Sequence, residues 1–193
     1  MYLNNDDYRL INQFKDIIKA NKTIMNTLSI MESLNLSDCW LTGGAIRCAV
    51  WNWIHNYESD RNLKDLDIVY YSKEKIKIEH DGKFVNSVPM EFTNQAFIHE
   101  WYEKKYGINL KPLVSVEDGL YLWSDSCNSI LLRRINGGLE IKSLTGLSDL
   151  CNGIIRPIKE RYEKYGLPAS DYYKRLEKWD VINNYPKIKI LYE

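Results

Sequence analysis

The order of features between residues 39 and 71 most narrows what this chain can fold into. A short apolar stretch, Cys39-Trp40-Leu41, runs into Gly43-Gly44. Residues 44–57 follow, apolar on nearly every side, and then comes Asp65-Leu66-Asp67-Ile68-Val69-Tyr70-Tyr71. The β-branched and aromatic content of the last segment predicts a strand, and the all-round apolar segment predicts a buried helix. The sequence therefore reads strand, glycine turn, helix, strand. Residues two apart on a strand share a face, so Asp65 and Asp67 project together while Leu66 and Ile68 point to the core. Two carboxylates about 5 Å apart repel by about 3 kcal/mol at an effective dielectric of about 20.

Glu91, in a further short strand predicted over residues 88–93, adds to the crowding. Such a cluster needs protons, separation or cations, and a Mg²⁺ site built from one or two carboxylates plus substrate phosphates is an economical answer. The glycine turn offers the complementary chemistry. Without Cβ atoms a ligand can approach the backbone, and the helix N-terminus presents free N–H groups and a partial positive charge to a phosphate. Arg47 in the first turn opposes the macrodipole, and a bound anion would explain it. Each piece alone is weak. With 13 Asp among 193 residues about one Asp-x-Asp arises by chance, and Gly137-Gly138 reads simply as a turn. Order and spacing carry the weight.

Around this centre, apolar spacing predicts a helix over residues 6–20 and a second from Ile24 ending near Asn35. Residues 75–88 read as a hairpin turning at Asp81-Gly82. Residues 94–106 read as a helix capped by Thr93 or Asn94, and residues 115–123 as a short helix with a weak capping box. A hairpin over 129–144 turns at Asn136-Gly137-Gly138. A helix is expected from Leu147 to Ile155, and a last one opening at Pro168. Trp40, Trp51, Trp53 and Trp123 read as core. The expected fold class is α/β (α+β): a small mixed sheet flanked by helices. The expected organisation is a single domain over 1–193, with N-terminal helices at 1–36, a catalytic core at 38–110 and a C-terminal flank at 111–193.

Charge excludes a general polyanion binder, since 26 Lys and Arg balance 26 Asp and Glu. The balance is uneven, however: residues 1–132 hold 14 Lys and Arg against 18 Asp and Glu, and residues 133–193 hold 12 against 8. The most apolar run, 45–54, is broken by Arg47 and Asn52 and falls short of the roughly 18 residues of a membrane span. Asp6 and Asp7 stand where a secretory signal would be basic and then apolar. Cys39, Cys48, Cys127 and Cys151 form no C-x-x-C pair, and His55, His80 and His99 lack zinc spacing. Free thiols and a cytoplasmic location are the expectation.

Leu41-Thr-Gly-Gly-Ala-Ile-Arg47 is similar to the G-G-x-x-R motif of tRNA nucleotidyltransferases, and Lys64-Asp-Leu-Asp-Ile-Val69 to their metal-binding D-x-D strand. The order resembles the polymerase-β-type nucleotidyltransferase superfamily, most closely a bacterial nucleotidyltransferase-like family. Blocks at 40–51, 63–71, 91–99, 123–133 and 146–157 carry the resemblance, which spans about residues 38–158. It implies transfer of a nucleoside monophosphate from an NTP to a hydroxyl acceptor, with release of pyrophosphate. Asp65, Asp67 and Glu91 would hold two Mg²⁺ ions, Glu91 could accept the acceptor's proton, and Gly43, Gly44 and Arg47 would hold the β- and γ-phosphates.

Asn94, Gln95 and His99 are candidate substrate contacts, the last two sharing a helix face. Arg133 and Arg156 match arginines associated with the family and are candidate phosphate ligands or ion-pair partners. The acceptor stays open among a small molecule, an RNA end and a protein side chain. The competing readings are a nucleotide-binding module without turnover, and one half of a toxin–antitoxin or phage-defence pair.

Overall fold

The computed structural model describes residues 5–34, 36 and 38–192. The first four residues and the expected helix end at Asn35 lie outside them. In chain order the elements are α1 (Asn5–Ala20), α2 (Lys22–Ser33), β1 (Trp40–Thr42), α3 (Gly44–His55), β2 (Leu66–Tyr70), β3 (Phe84–Val85) and β4 (Val88–Asn94). A 3₁₀ turn (Gln95–Phe97) leads into α4 (Ile98–Tyr106), and a second 3₁₀ turn (Glu117–Leu122) precedes β5 (Ile130–Ile135) and β6 (Gly138–Ser143). The chain closes with α5 (Ser148–Cys151), β7 (Ile154–Ile155), α6 (Lys159–Glu163), α7 (Ser170–Trp179), α8 (Val181–Asn184) and β8 (Lys189–Ile190).

The mixed sheet has the order β3-β4-β2-β1-β5-β6, and β7 pairs separately with β8. β1 lies antiparallel between β2 and β5, while β2 and β4 run parallel. Side-chain alternation divides the sheet's two faces. Leu41, Leu66, Ile68, Tyr70, Met90, Ile130 and Leu132 enter the main core with α1, α2 and α3. The opposite face carries Trp40, Val69 and Leu131, covered only in part by Val116 and Leu120 around the second 3₁₀ turn. Asp67 and Glu91 fall on that second face, because their neighbours Leu66, Ile68 and Met90 are committed to the first. The expected mixed sheet flanked by helices is present.

Several local expectations change. The hairpin turns at Asn86-Ser87, both at positive φ (47° and 69°), rather than at Asp81-Gly82, and Ile76 and Ile78 lie outside any strand. Two residues at positive φ between β3 and β4 are what a two-residue hairpin loop requires. The helix expected to reach Ile155 stops at Cys151. Gly153 turns the chain at φ +65°, and Ile154 and Ile155 instead pair with Lys189 and Ile190. The sheet also continues beyond residue 110, since β5 and β6 extend it past β1. All four cysteines are buried and free, and no helix among the described residues is long and apolar enough to cross a membrane.

Candidate active site

The turn between β1 and α3 is set by Gly43. Its φ of 68° and ψ of −133° suit only glycine. A Cβ there would lie 2.7 Å from Trp123 Cη2 and 2.8 Å from Asp67 Oδ2. Gly44 has room, and a Cβ there would sit 3.9 Å from both Asp65 Oδ1 and Arg47 Nη2. α3 starts with no capping side chain and no acidic residue in its first turn, so its leading N–H groups face the carboxylates' end of the sheet without a side-chain acceptor. Thr42, buried, fastens this turn by donating its hydroxyl to the Ile130 carbonyl at 2.7 Å.

Asp65 immediately precedes β2 and Asp67 lies within it. Glu91 is in register with Asp67 across the parallel β2–β4 pair. Asp67 is pushed up to about 6, first by burial, then by the charges of Asp65 and Glu91, against the pull of Arg175 and Arg47. Among the described residues no three Asp, Glu, His or Cys side chains form a ready-made metal cage. The structure offers instead two aspartates against the glycine turn and an exposed glutamate one strand away, all hard oxygen donors. That set suits a cation whose remaining ligands come from elsewhere.

Arg47 is 6% exposed and forms no ion pair with a carboxylate among the described residues. Its Nη1 donates to Asn128 Oδ1 at 3.1 Å, and its guanidinium stacks 3.6 Å from the Trp179 ring centroid and 5.3 Å from that of Trp51. Its Nε is buried without a partner among the described residues. Behind it, Asn128 Nδ2 donates to both carboxylate oxygens of the fully buried Asp125 at 2.8 Å, and Ser124 Oγ donates to Oδ2. An unpaired, buried cation held by a neutral amide at a helix N-terminus is arranged to meet an anion.

Two clefts meet at Asp67. The first, about 600 Å³, lies between the start of α3, Asp65 and the helix α7. Arg47, Lys64, Lys105, Lys174, Arg175 and Lys178 line it. The second, about 540 Å³, opens over the second sheet face, between α4 and the 3₁₀ turn at Glu117–Leu122. Asp67, Trp101, Tyr102, Trp123 and Arg175 line both.

The other sequence candidates separate. Gln95 is buried and lines the second cleft. Asn94 also lines it, but its amide is spent locally: Oδ1 accepts from Ala96 N and Ser72 N, and Nδ2 donates to Ser72 O. His99 lines neither cleft, and its Nδ1 is buried without a partner among the described residues. The expected shared face of Gln95 and His99 fails because Gln95 sits in a 3₁₀ turn, whose tighter winding breaks the α-helical i, i+4 alignment. Arg133 pairs with Glu140 at 2.6 Å and stacks on Trp40, and Arg156 forks onto Asp149 at 2.6 and 2.8 Å. Neither lines either of these two clefts.

Sequence reasoning missed Asp125, Asn128, Arg175 and Trp179, and took Trp123, which lines both clefts, for core. The run Ser124-Asp-Ser-Cys-Asn-Ser129 directly before an apolar strand was a readable signal, since polar residues buried there must satisfy one another. Arg175 and Trp179, four apart on α7, had only helical spacing to mark them. Trp53, expected in the core, is 51% exposed.

A family model described as nucleotidyltransferase matches residues 29–190. An NMR structure described as revealing a CCA-adding enzyme head domain aligns with a TM-score of 0.76 at 18% identity, over 94% of this chain and 96% of that one. At that identity the match shows a shared fold. A CCA-adding enzyme in complex with ATP aligns with a TM-score of 0.45 at 16% identity, over 89% of this chain and 39% of that one. No curated protein sequence gives a significant match.

Proposed function

The chain belongs to the nucleotidyltransferase family, and from that premise we propose that it moves a nucleoside monophosphate from an NTP to a hydroxyl-bearing acceptor, dependent on Mg²⁺. One observation carries this reading. The glycine turn and open N-terminus of α3 touch the Asp65–Asp67 pair, so close that a Cβ on Gly43 would meet the Asp67 carboxylate. The groups read as holding phosphate, Gly44 and Arg47, thus line the same cleft as Asp65 and Asp67, read as holding the cation.

In this reading Gly43, Gly44 and Arg47 bind the β- and γ-phosphates, and Lys105, Lys174 and Lys178 flank the triphosphate. Asp65, Asp67 and Glu91 hold Mg²⁺, which when bound neutralises phosphate charge and acidifies the acceptor hydroxyl. The raised affinity of Asp67 for a proton fits this set: crowded carboxylates bind a cation in place of a proton. The acceptor oxygen forms a bond to the α-phosphorus. The bond from that phosphorus to the α–β bridging oxygen breaks, and pyrophosphate departs with the electron pair. Glu91, exposed beside Asp67, takes the hydroxyl proton. Arg175, lining both clefts, sits where it can balance the charge that builds on the transferring phosphoryl group.

The test is incubation with α-labelled NTPs, Mg²⁺ and a panel of hydroxyl acceptors, scoring label transfer and pyrophosphate. Both should be lost in Asp67→Asn. Undiminished turnover in that variant overturns the assignment. NTP binding with no pyrophosphate from any acceptor supports a binding module instead.

A further inference from the structure

Accepting the reaction centre above, the second cleft poses a separate question: what stands opposite the nucleotide? Its floor is the sheet face at Val69 and Leu131, and its walls include Ile98, Trp101, Leu122 and Trp123. Asp67 and Glu91 close one end. At about 540 Å³ it has the size of a small-molecule site.

The polar inventory of the cleft is selective. Gln95 is 6% exposed, and its carboxamide forms no hydrogen bond among the described residues while facing this cavity. Gly119 leaves it room, since a Cβ at Gly119 would strike Gln95 Oε1. A carboxamide left without a protein partner among the described residues is matched by a neutral ligand that can both donate and accept. Cations, by contrast, are concentrated in the other cleft. Arg175, at the junction, is the one Lys or Arg among the residues lining the second cleft. Lys75, near the outer end of the wall, is already engaged with Glu100 and the Phe97 ring. A nucleic-acid end brings successive phosphates, and proteins hold these with Lys and Arg along the strand. The walls here supply aromatic side chains interleaved with neutral polar groups, beside the two carboxylates, instead.

We infer that the second cleft binds the acceptor, and that the acceptor is a small, uncharged molecule carrying a hydroxyl on a ring-shaped body. Gln95 hydrogen-bonds to it, Trp101 and Trp123 offer ring surface, and its hydroxyl is delivered toward Glu91 and Asp67. The inference rests on the nucleotidyl-transfer reading and adds the substrate class.

The experiment supplies wild-type protein, α-labelled ATP and Mg²⁺ with four probes in parallel: benzyl alcohol, phenyl β-D-glucoside, a uridine oligonucleotide with a free 3′ hydroxyl, and a tyrosine-containing peptide. Label on the uncharged ring compounds is expected, with the oligonucleotide and peptide inert. Gln95→Ala, checked for an intact melting curve, should raise the KM for the ring compound by about tenfold with a much smaller change in kcat. Label on the oligonucleotide or peptide, with the ring compounds inert, overturns the substrate class and leaves nucleotidyl transfer standing. A Gln95→Ala enzyme with an unchanged acceptor KM overturns the placement in this cleft. Failure of every probe to release pyrophosphate, with NTP binding also absent, overturns the underlying reading.

Discussion

Asp67 carries two opposed demands. Burial, then Asp65, then Glu91 hold its carboxyl at about 6 against an ordinary 3.8, so the folded protein binds this proton more tightly than the unfolded chain does. A raised carboxyl pKa costs stability once the group ionises. The group's cost is absent below about pH 4, grows as pH rises toward 6 and is complete above it, on the order of 3 kcal/mol. Asp67→Asn removes that cost. In the presence of a chelator its melting temperature should exceed that of the wild type at pH 7, with the gap closing toward pH 4, as thermal melts across this range would read. An asparagine variant no more stable than wild type at pH 7 would contradict the crowding argument. The two glycines make a second, paired expectation. Gly43→Ala meets Trp123 and Asp67 and is forced into a strained backbone, a loss of about 1–3 kcal/mol. Gly44→Ala should fold and melt like the wild type. Its methyl group would lie between Asp65 and Arg47, where a phosphate must approach, so NTP affinity measured by calorimetry should fall.

At the scale of elements, α7 decides which arginines matter. Arg175 and Trp179 reach the first cleft from this helix, whereas Arg133 and Arg156 are occupied in ion pairs on strands β5 and beyond β7. Arg133→Ala and Arg156→Ala should therefore leave kcat/KM near wild type; the first should lower stability by about 1 kcal/mol or less, as partly exposed pairs do, and the second by more, because it leaves the buried Asp149 carboxylate unpaired. Arg175→Ala should lower kcat/KM by at least about tenfold. Steady-state pyrophosphate release on the three variants separates the cases. The reverse ranking would remove α7 from the site. This contrast also marks what the sequence could disclose. The Gly43-Gly44 turn, the Asp65–Asp67 strand and Glu91 were legible because each depends on local geometry: a residue type, a period of two, a strand boundary. Trp179 over Arg47 was not, because it is a contact between residues far apart in sequence whose only local signature is an amphipathic helix. The 3₁₀ turn at Gln95 was missed for a related reason. Residues 94–106 have helical spacing throughout, and tertiary packing rather than composition tightens the first turn. Asn86-Ser87 lost to Asp81-Gly82 because turn propensity favours the latter, while the pairing of Val85 with Val88 selects the former.

Across the whole molecule, the neutral total charge hides a division with a structural consequence. The acidic part supplies β2 and β4, and the basic C-terminal part folds back over the start of α3, so opposite charges meet across one cleft. The return is firmly tied. Tyr172, Leu176, Val181, Tyr185 and Ile188 belong to the main core. Arg61 donates to the Asn184 carbonyl at 3.0 Å, Lys187 N to His55 Nε2 at 3.0 Å, and the Tyr172 hydroxyl to the Ile155 carbonyl at 3.1 Å. Removing residues from 159 onward would strip these from the core, so that truncated chain should fail to give a cooperative melt, and the full chain should unfold in one transition. Because a nucleotide in the first cleft would touch both α3 and α7, it binds the folded state alone. Mg²⁺–ATP at about a hundred times its Kd should then add about 2.7 kcal/mol, or roughly 5–10 °C in Tm for a chain of this size. The shift should shrink in Gly44→Ala and in a Lys174→Ala/Lys178→Ala double variant, which alter the two walls separately. If the shift is untouched by the α7 double variant, the nucleotide contacts α3 alone, and the C-terminal return serves the fold rather than the site.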